Sequence, residues 1–572
     1  MTKRWTNDEV ANLLRRIADM LQIKGEVVYK SIAYRRAADN IAALGLDLHE
    51  VQREGNLRDI PGVGQALSKK LTELLTTGRL QYYERLEEQV PPAVLSLLAI
   101  PDVGPKTVKL MWERLGIMSV AEAERAARSG ELRHLPGLGQ KSEQRILRGI
   151  QLLHRRSERI PLGTAWPLAQ ELLAALTSLP DVERVAAAGS LRRMRATVGD
   201  LDLLIASREP APVMAAFGRL PQVERVDLSG DTKTTVILRN GLQVDLRVLP
   251  PARYGSLLQY FTGSQAHNVR LRGLAQDRGL SLSEYGFKRD DEEILCPEEI
   301  DVYQTLGLQL IPPELREDRG EIEAAEQGRL PDLVELGDLR GDLHCHSDWS
   351  DGAGTIEEMA LAAIARGYEY LLISDHTQSL GIANGLNVER LRQQQQAIAS
   401  VNARHPGFRL LHGCELEIMA DGSLDFPDQV LAELDIVVAS IHSGLRQDRD
   451  TITRRVLSAV RNPHVDIIGH PTGRLLGQRE PSEVDIEAVL REAARHGTII
   501  EVNAIPARLD LDDVYIRQAK DLGVRLAVNS DAHSIDGLDT IRFGIATARR
   551  GWAEARDIVN TLPIDNLLAL LK

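Results

Sequence analysis

From Leu339 to its end the chain alternates short apolar runs with longer amphipathic ones, and most of the apolar runs finish at a residue able to hold a metal. Gly341 to Ser347 carries His344 and His346 two residues apart, with Asp351 just beyond; Tyr370 to Ser374 ends at Asp375-His376; Phe408 to Cys414 leads into Glu415. Ile436 to Ile441 ends at His442, Val465 to Gly469 at His470, Thr498 to Val502 at Asn503, and Arg525 to Asn529 leads to Asp531 and His533. Continuous apolar runs separated by helix-length connections are buried parallel strands, and polar groups gathered at their carboxyl ends belong to a β/α barrel with its site on that face. A lone histidine would be an ordinary core residue. His344, His346, Asp351, His376, Glu415, His442, His470, Asp531 and His533 together are nine donors at strand ends, enough for up to three ions when carboxylates bridge. Such a mixed set suits Mn²⁺, Zn²⁺ or Fe better than Mg²⁺ or Ca²⁺. Alternation turns Cys345 away from its neighbouring histidines, so Cys345 and Cys414 read as packing residues, and His412 has no assigned role.

Charge divides the 572 residues in two. The net charge is −13, made of a surplus of 9 basic residues over positions 1–290 and a surplus of 22 acidic ones over 291–572, where ten of the fourteen histidines also lie. The acidic total argues against nucleic acid, but the basic half does not. Cys296, Cys345 and Cys414 are odd in number and irregular in spacing, which excludes a disulfide framework and implies a reducing compartment. No stretch approaches the roughly 18 uncharged apolar residues of a spanning helix, and no apolar core follows the charges at the amino terminus, so a cytoplasmic protein with no membrane partner is expected. At roughly 100–200 residues per domain, three to five domains are expected.

The first 155 residues read as short amphipathic helices, with Val10 to Leu21, Ala33 to Leu44 and Ala66 to Thr76 among them. One phrase recurs between helices: Ile60-Pro61-Gly62-Val63-Gly64, Ile100-Pro101-Asp102-Val103-Gly104, and Leu135-Pro136-Gly137-Leu138-Gly139. Each copy ends one helix, turns tightly, and opens the next with outward N–H groups, which is a phosphate-binding geometry. The three phrases resemble helix-hairpin-helix motifs, which grip DNA backbones without reading sequence. Gly62, Gly64, Gly104, Gly137 and Gly139 are the DNA-contacting candidates, and the second copy departs from the pattern by placing Asp102 near the phosphate.

Positions 156–250 change to short strand-like runs, Val182 to Ala188, Leu201 to Ala206, Thr234 to Leu238 and Gln243 to Leu249. In the stretch Gly-Ser-Leu-Arg-Arg-Met-Arg-Ala-Thr-Val-Gly-Asp-Leu-Asp from Gly189, period two puts Asp200 and Asp202 on one face. Paired carboxylates repel unless a hard cation sits between them, and Asp245, alone in the apolar run Val244-Asp245-Leu246, is the natural third ligand. Mg²⁺ or Mn²⁺ held there, with Gly189-Ser190, Arg193 and Gly199 near the triphosphate, suits in-line nucleotidyl transfer.

This pattern resembles the nucleotidyltransferase superfamily. Tyr260-Phe261-Thr262-Gly263-Ser264 with Asn268 and Arg272 resembles the thumb of X-family DNA polymerases. The resemblance implies that Tyr260 and Phe261 lie against the incoming sugar, that Gly263 allows close backbone approach, that Asn268 meets the minor-groove edge of the base and that Arg272 faces the template. It also implies that Arg159, before Ile160-Pro161, contacts phosphate. Gln265 and His267 depart from the vertebrate repair-polymerase pattern. The segment from Gly62 to Gly78 resembles that family's lyase domain, with Lys70 at its Schiff-base lysine; the alternative is that Lys69-Lys70 is a solvated phosphate-contacting face. The barrel's motifs resemble the polymerase-and-histidinol-phosphatase (PHP) domain, a metal-dependent phosphoesterase.

The resemblance covers nearly the whole chain and implies a multidomain fold: helical helix-hairpin-helix domains at 1–88 and 89–155, an α+β palm at 156–250, a thumb at 251–318, a linker at 319–338, and a distorted (β/α)7 PHP barrel at 339–572. The expected activities are gap filling from dNTPs on gapped, nicked or primer-template DNA in base-excision repair and 3′–5′ exonuclease action. Cleavage at abasic sites, 3′-phosphatase and 5′-deoxyribose-phosphate lyase action are further expectations. The expected state is a monomer, cytoplasmic and nucleoid-associated. Two alternatives stand beside this reading: a nucleotidyltransferase for RNA or a small molecule fused to a PHP phosphatase, and a DNA-repair scaffold with vestigial sites.

Overall fold

A computed structural model describes residues 5–42, 48–53, 55–60, 62–100, 103–156, 159–290 and 292–571. The chain divides into two compact units, Met1–Glu158 and Arg159–Lys572.

The first unit is helical. Asn7–Lys24 starts on a capping box, Thr6 with Glu9, and stops at Gly25 in the left-handed conformation. The expected boundary at 88/89 is not a break in packing, because one cluster of buried side chains runs from Val10 through Leu97 and Met111 to Ile150. The three recurring phrases each open a helix, Gln65–Thr77, Pro105–Leu115 and Gln140–Arg156. Pro61, Pro101 and Asp102 lie outside the described residues.

In the second unit the palm is a five-stranded sheet in the order Arg184–Ala187, Leu201–Ala206, Gln243–Leu249, Lys233–Leu238, Val223–Ser229. The two central strands run parallel and set Asp202 opposite Asp245. Leu201, Leu203 and Ile205 face a core against helix Leu162–Thr177, while Leu204 and Ala206 pack on the opposite face with Leu249 and Leu257. The thumb that follows buries Leu271, Phe287, Tyr303 and Ile311.

Residues 319–338 are part of that thumb core rather than a linker. Ile322, Ala325 and Leu333 are buried with Trp552, and Glu321 is fully buried beneath His267. Its acidic residues pair with distant thumb residues, Glu321 with His267, Glu323 with Arg270 and Glu326 with Arg278, so no periodic stripe is needed to dock it.

Seven parallel strands then follow in chain order, Gly341–Asp342, Tyr370–Ile373, Arg409–Glu417, Ile436–Ser440, Ile467–Ile468, Ile499–Asn503 and Leu526–Asn529. A parallel bridge between Cys345 and Ala532, with His346 N–H donating to Ala532 O at 2.9 Å, nearly closes them into a barrel. Leu343, Leu372, Leu411, Val438, Ile467 and Ala527 fill its interior above Val559 and Leu567. Barrel and palm share a core: Leu509 and Phe543 lie in the palm cluster, with Phe543 edge-on to Trp166 at 6.3 Å.

Replacing Phe543 by Ala removes a buried ring from that shared core, and the expected loss is about 3–5 kcal/mol. Calorimetry should show the single transition of the wild-type 159–572 unit resolve into separate palm and barrel transitions; an unchanged profile would contradict a shared core.

Candidate active sites

The palm site is built by strand pairing. Asp202 and Asp245 lie side by side on neighbouring parallel strands, and Asp200, two positions before Asp202, immediately precedes the strand Leu201–Ala206. Burial, then the nearby charges of Asp200 and Asp245, push the Asp202 carboxyl up to about 7. Asp245 is held by Lys233 Nζ at 2.7 Å and by Thr235 Oγ1 at 2.7 Å. A buried carboxylate this reluctant to ionise beside two others is a site that a divalent cation would stabilise. Gly189 opens the helix Gly189–Arg192 with φ +59°, and a Cβ there would come within 2.2 Å of Asp202 Oδ2, so a side chain at this turn would be strained and would displace Asp202.

The thumb signature gathers around this turn. Tyr260 and Phe261 pack edge to face with ring centres 5.1 Å apart, and Arg247 lies over the Phe261 ring at 4.1 Å. Asn268 Nδ2 donates to Tyr260 O and its Oδ1 accepts from Gln259, which fixes the amide beside the aromatic pair. Arg272 has no ion pair or side-chain hydrogen bond among the described residues and is half-buried. Arg159 donates to Thr197 Oγ1 at 2.8 Å next to Gly199. His267 is fully buried between Glu321 and Tyr303 and is a thumb core residue.

Arg193, expected beside the triphosphate, here pairs its Nε with Glu317 at 3.0 Å while Nη1 donates to Thr262 O at 2.5 Å. The sequence could not show that Glu317, 124 residues away, turns inward to meet it.

In the barrel all nine expected residues converge at the carboxyl rim. Glu415 Oε1 lies 2.8 Å from His470 Nε2 and 3.2 Å from His442 Nε2; its Oε2 lies 2.9 Å from His376 Nδ1, 3.4 Å from His344 and 3.6 Å from His346. Asp531 Oδ1 stands 3.1 Å from His346 Nε2 and 3.6 Å from His344 Nε2. Asp351 faces His346, His376 and His533 at 3.5–3.9 Å. Three sets of donors lie close enough to share an ion: His346, Asp351, His376 and His533; His344, His346 and Asp531; His376, Glu415 and His442.

Buried His344 Nε2, His346 Nδ1, His376 Nδ1, His470 Nδ1 and Glu415 Oε2 make no hydrogen bond. Orphaned lone pairs converging in one buried cluster fit divalent metal. The titration pattern agrees: against burial, Glu415 and Glu417 raise His442 to about 10, and Asp351 and Asp531 raise His533 to about 9. Protons and cations compete there for the same donors.

Two carboxylates behind the cluster were not singled out in the sequence. Glu501, fully buried, accepts from His344 Nδ1 at 2.7 Å and from His470 N–H at 2.6 Å. Glu417 accepts from His442 Nδ1 at 2.7 Å. Each fixes a ring so that its other nitrogen faces the cluster. An acid inside the apolar run Ile499-Ile500-Glu501-Val502 was the available signal. His412 is buried with both ring nitrogens unpartnered, but it lies on the strand position of opposite parity to Glu415 and takes no part.

In the helical unit, Gly62 and Gly137 have φ +87° and +78°, and Gly64 and Gly104 start helices without a side-chain cap. A Cβ at Gly64, Gly104, Gly137 or Gly139 would meet no atom within 4 Å, so these helix starts are open to an approaching strand. Lys70 is half-buried between Tyr34 and Tyr82, its Nζ 3.2 Å from the Tyr82 ring centre and donating to Tyr34 Oη. Burial and then Lys30 pull its ammonium down to about 8.

The two sites make this a bifunctional phosphoryl-transfer enzyme, a polymerase-type palm and thumb joined to a metal phosphoesterase barrel. Family models match as a helix-hairpin-helix domain over 5–80, a SAM-like helix-hairpin-helix tandem over 94–151, a DNA polymerase beta thumb over 257–317 and a PHP domain over 342–504. The chain is 40% identical over 568 residues, 99% of both chains, to the DNA polymerase/3′-5′ exonuclease PolX of Bacillus subtilis (strain 168), and it belongs to that family. Its barrel half is 34% identical to a probable phosphatase of Thermoanaerobacter sp. (strain X514) over 34% of this chain and 78% of that one. DNA polymerase lambda of Rattus norvegicus is 25% identical over 54% of this chain and 56% of its own. No described helix is long and apolar enough to cross a membrane.

Glu501→Gln should leave the barrel folded while loosening His344. The expected result is a 10- to 100-fold weaker affinity for Mn²⁺, on the order of second-shell effects at other metal sites, read by calorimetric titration; unchanged affinity would remove Glu501 from the site.

Proposed function

We propose that the chain is an X-family DNA polymerase that fills short gaps in base-excision repair and carries a metal-dependent 3′–5′ exonuclease in its PHP barrel. The observation that carries this reading is the register of Asp202 on Asp245 beside Gly189, in a chain that matches a PolX protein end to end. When bound, divalent ions supply Lewis acidity and lower the pKa of an attacking hydroxyl or water. Asp200, Asp202 and Asp245 hold Mg²⁺ or Mn²⁺; the nine barrel donors hold Mn²⁺ or Zn²⁺, up to three ions. Gly189-Ser190 receives the triphosphate, Tyr260 and Phe261 stand against its sugar, Asn268 meets the base, and Arg272 the template.

DNA is held through phosphates at Gly62-Val63-Gly64, Val103-Gly104 and Gly137-Leu138-Gly139, so binding is salt-sensitive and weakly sequence-dependent. The molecule acts as a cytoplasmic, nucleoid-associated monomer. Likeness of the barrel to probable phosphatases supports removal of 3′ blocking phosphates at the same site, and incision at abasic sites is a further use of it. Lys70, with its lowered pKa and its aromatic walls, is the candidate Schiff-base nucleophile for a 5′-deoxyribose-phosphate lyase. The intact donor cluster weighs against a scaffold with vestigial sites.

On a gapped duplex with Mn²⁺, Asp202→Ala should lose dNTP incorporation by at least 10³-fold, an effect of the size that removing a unit of catalytic machinery produces, and keep exonuclease activity. His344→Ala should do the reverse. Nuclease activity surviving in His344→Ala would show the barrel site to be misassigned. Borohydride trapping on a 5′-deoxyribose-phosphate end tests Lys70. The amine attacks only when neutral, so trapping should rise with pH through a midpoint near 8, as the lowered ammonium pKa requires. It should vanish in Lys70→Ala, and persistence there would reject the assignment.

A further inference from the structure

The helix Ile541–Arg550 belongs to the barrel, yet its last residue ends inside the polymerase half. The Arg550 side chain is 5% exposed and uses its fork on three elements at once. Nη1 donates to Arg193 O at 2.7 Å and to Glu317 Oε1 at 3.1 Å, while Nη2 donates to Asp513 Oδ2 at 2.6 Å. Both polymerase-side partners bear on the nucleotide turn. Arg193 N–H closes the short helix on Gly189 O at 3.2 Å, so the carbonyl that Arg550 holds belongs to the residue that ends the Gly189-Ser190 turn. Glu317 anchors the Arg193 guanidinium, which donates to Thr262 O, the residue between Phe261 and Gly263. Arg192 ties the same threonine through Oγ1 at 2.6 Å.

We propose that Arg550 of the nuclease barrel is a positioning residue for the polymerase's nucleotide site, holding the Gly189–Arg193 turn and the Thr262-Gly263 turn in register with Asp202. The inference rests on the polymerase reading of the palm. A merely adhesive role explains the contacts less well, because the interface is already closed by Phe543, Leu509 and the packing of Pro506 on Gly163. Loss of Arg550 also orphans no carboxylate: Glu317 keeps Arg193 and Arg195, and Asp513 keeps Arg319 at 3.0 Å. The domains therefore stay docked without it, and what is lost is the fixed position of the Arg193 backbone. A planar fork can serve a carbonyl and two carboxylates simultaneously; an ammonium on a flexible stem holds the charge but not that geometry.

The test compares full-length wild type, Arg550→Ala and Arg550→Lys. It measures the dissociation constant for dATP with Mg²⁺ by calorimetry, KM and kcat on a one-nucleotide gap, and hydrolysis of single-stranded DNA with Mn²⁺. Expected in Arg550→Ala are a dissociation constant and KM for dATP raised about tenfold with kcat and single-strand hydrolysis within twofold of wild type, and in Arg550→Lys an intermediate increase. Nucleotide affinity unchanged in both variants overturns the inference, as does a parallel fall in nucleotide affinity and hydrolysis, which marks a structural clamp. Should the Ala variant fail to fold, the Lys variant decides on the same readings. Wild type that binds dATP but extends no primer overturns the polymerase reading alone, since Arg550 is still judged by binding; wild type that binds no dATP overturns both.

Discussion

Glu415 is a buried carboxylate with five imidazoles within 3.6 Å, brought from four other strand ends of the barrel. Nothing local could assemble that arrangement. It depends on seven parallel strands hydrogen-bonded in chain order, so that every carboxyl end arrives at one rim, and on the bridge from Cys345 to Ala532 that brings the first end beside the last. Desolvation alone would drive such a cluster apart or neutralise it. Imidazoles shared among Asp351, Glu415 and Asp531 offset the charge, and Glu417 and Glu501 keep the rings turned inward. The rest of the barrel, including the apolar plug below the rim, is the frame that prevents these groups from relaxing outward.

The palm solves a related problem with fewer parts. Parallel pairing places Asp202 against Asp245, Gly189 leaves space for a carboxylate oxygen, and Lys233 compensates the second acid. In the palm, burial and like charges oppose ionisation of Asp202, whereas in the barrel the imidazoles hold Glu415 and Asp531 ionised against burial; both arrangements leave cations as the natural complement. The consequence differs with the donors: all-oxygen ligands in the palm suit Mg²⁺ or Mn²⁺, whereas the imidazole-rich rim suits softer ions.

Much of this was readable beforehand, and the reason is periodicity. The strand Leu201–Ala206 was delimited to the residue because Asp200 and Asp202 alternate with Leu201 and Leu203 and the apolar run stops at Ser207, and the barrel strands were found from their apolar runs to within a few residues. The nine rim donors were found because each lies in its strand's last residues or within a short loop after it. What escaped was set by distance along the chain. Glu501 meets His344 across 157 residues and Glu317 meets Arg193 across 124, and no local pattern announces such a partner. Arg193 was therefore expected at a phosphate and is found in an ion-pair network. Residues 319–338 were expected to be a linker because acidic, aperiodic sequence usually is; burial of Glu321 against His267 reverses that.

The palm's apolar core is completed by Leu509 and Phe543, which belong to the barrel's chain segment. The barrel is therefore not an appendage in the way that a tethered domain is. A chain shortened to its polymerase half would expose Trp166 and its neighbours to water, creating an apolar patch of the kind that drives aggregation and marks a protein for degradation. For this chain, losing the nuclease by truncation means losing a wall of the polymerase, so inheritance of the two activities is tied together by packing as well as by shared substrate.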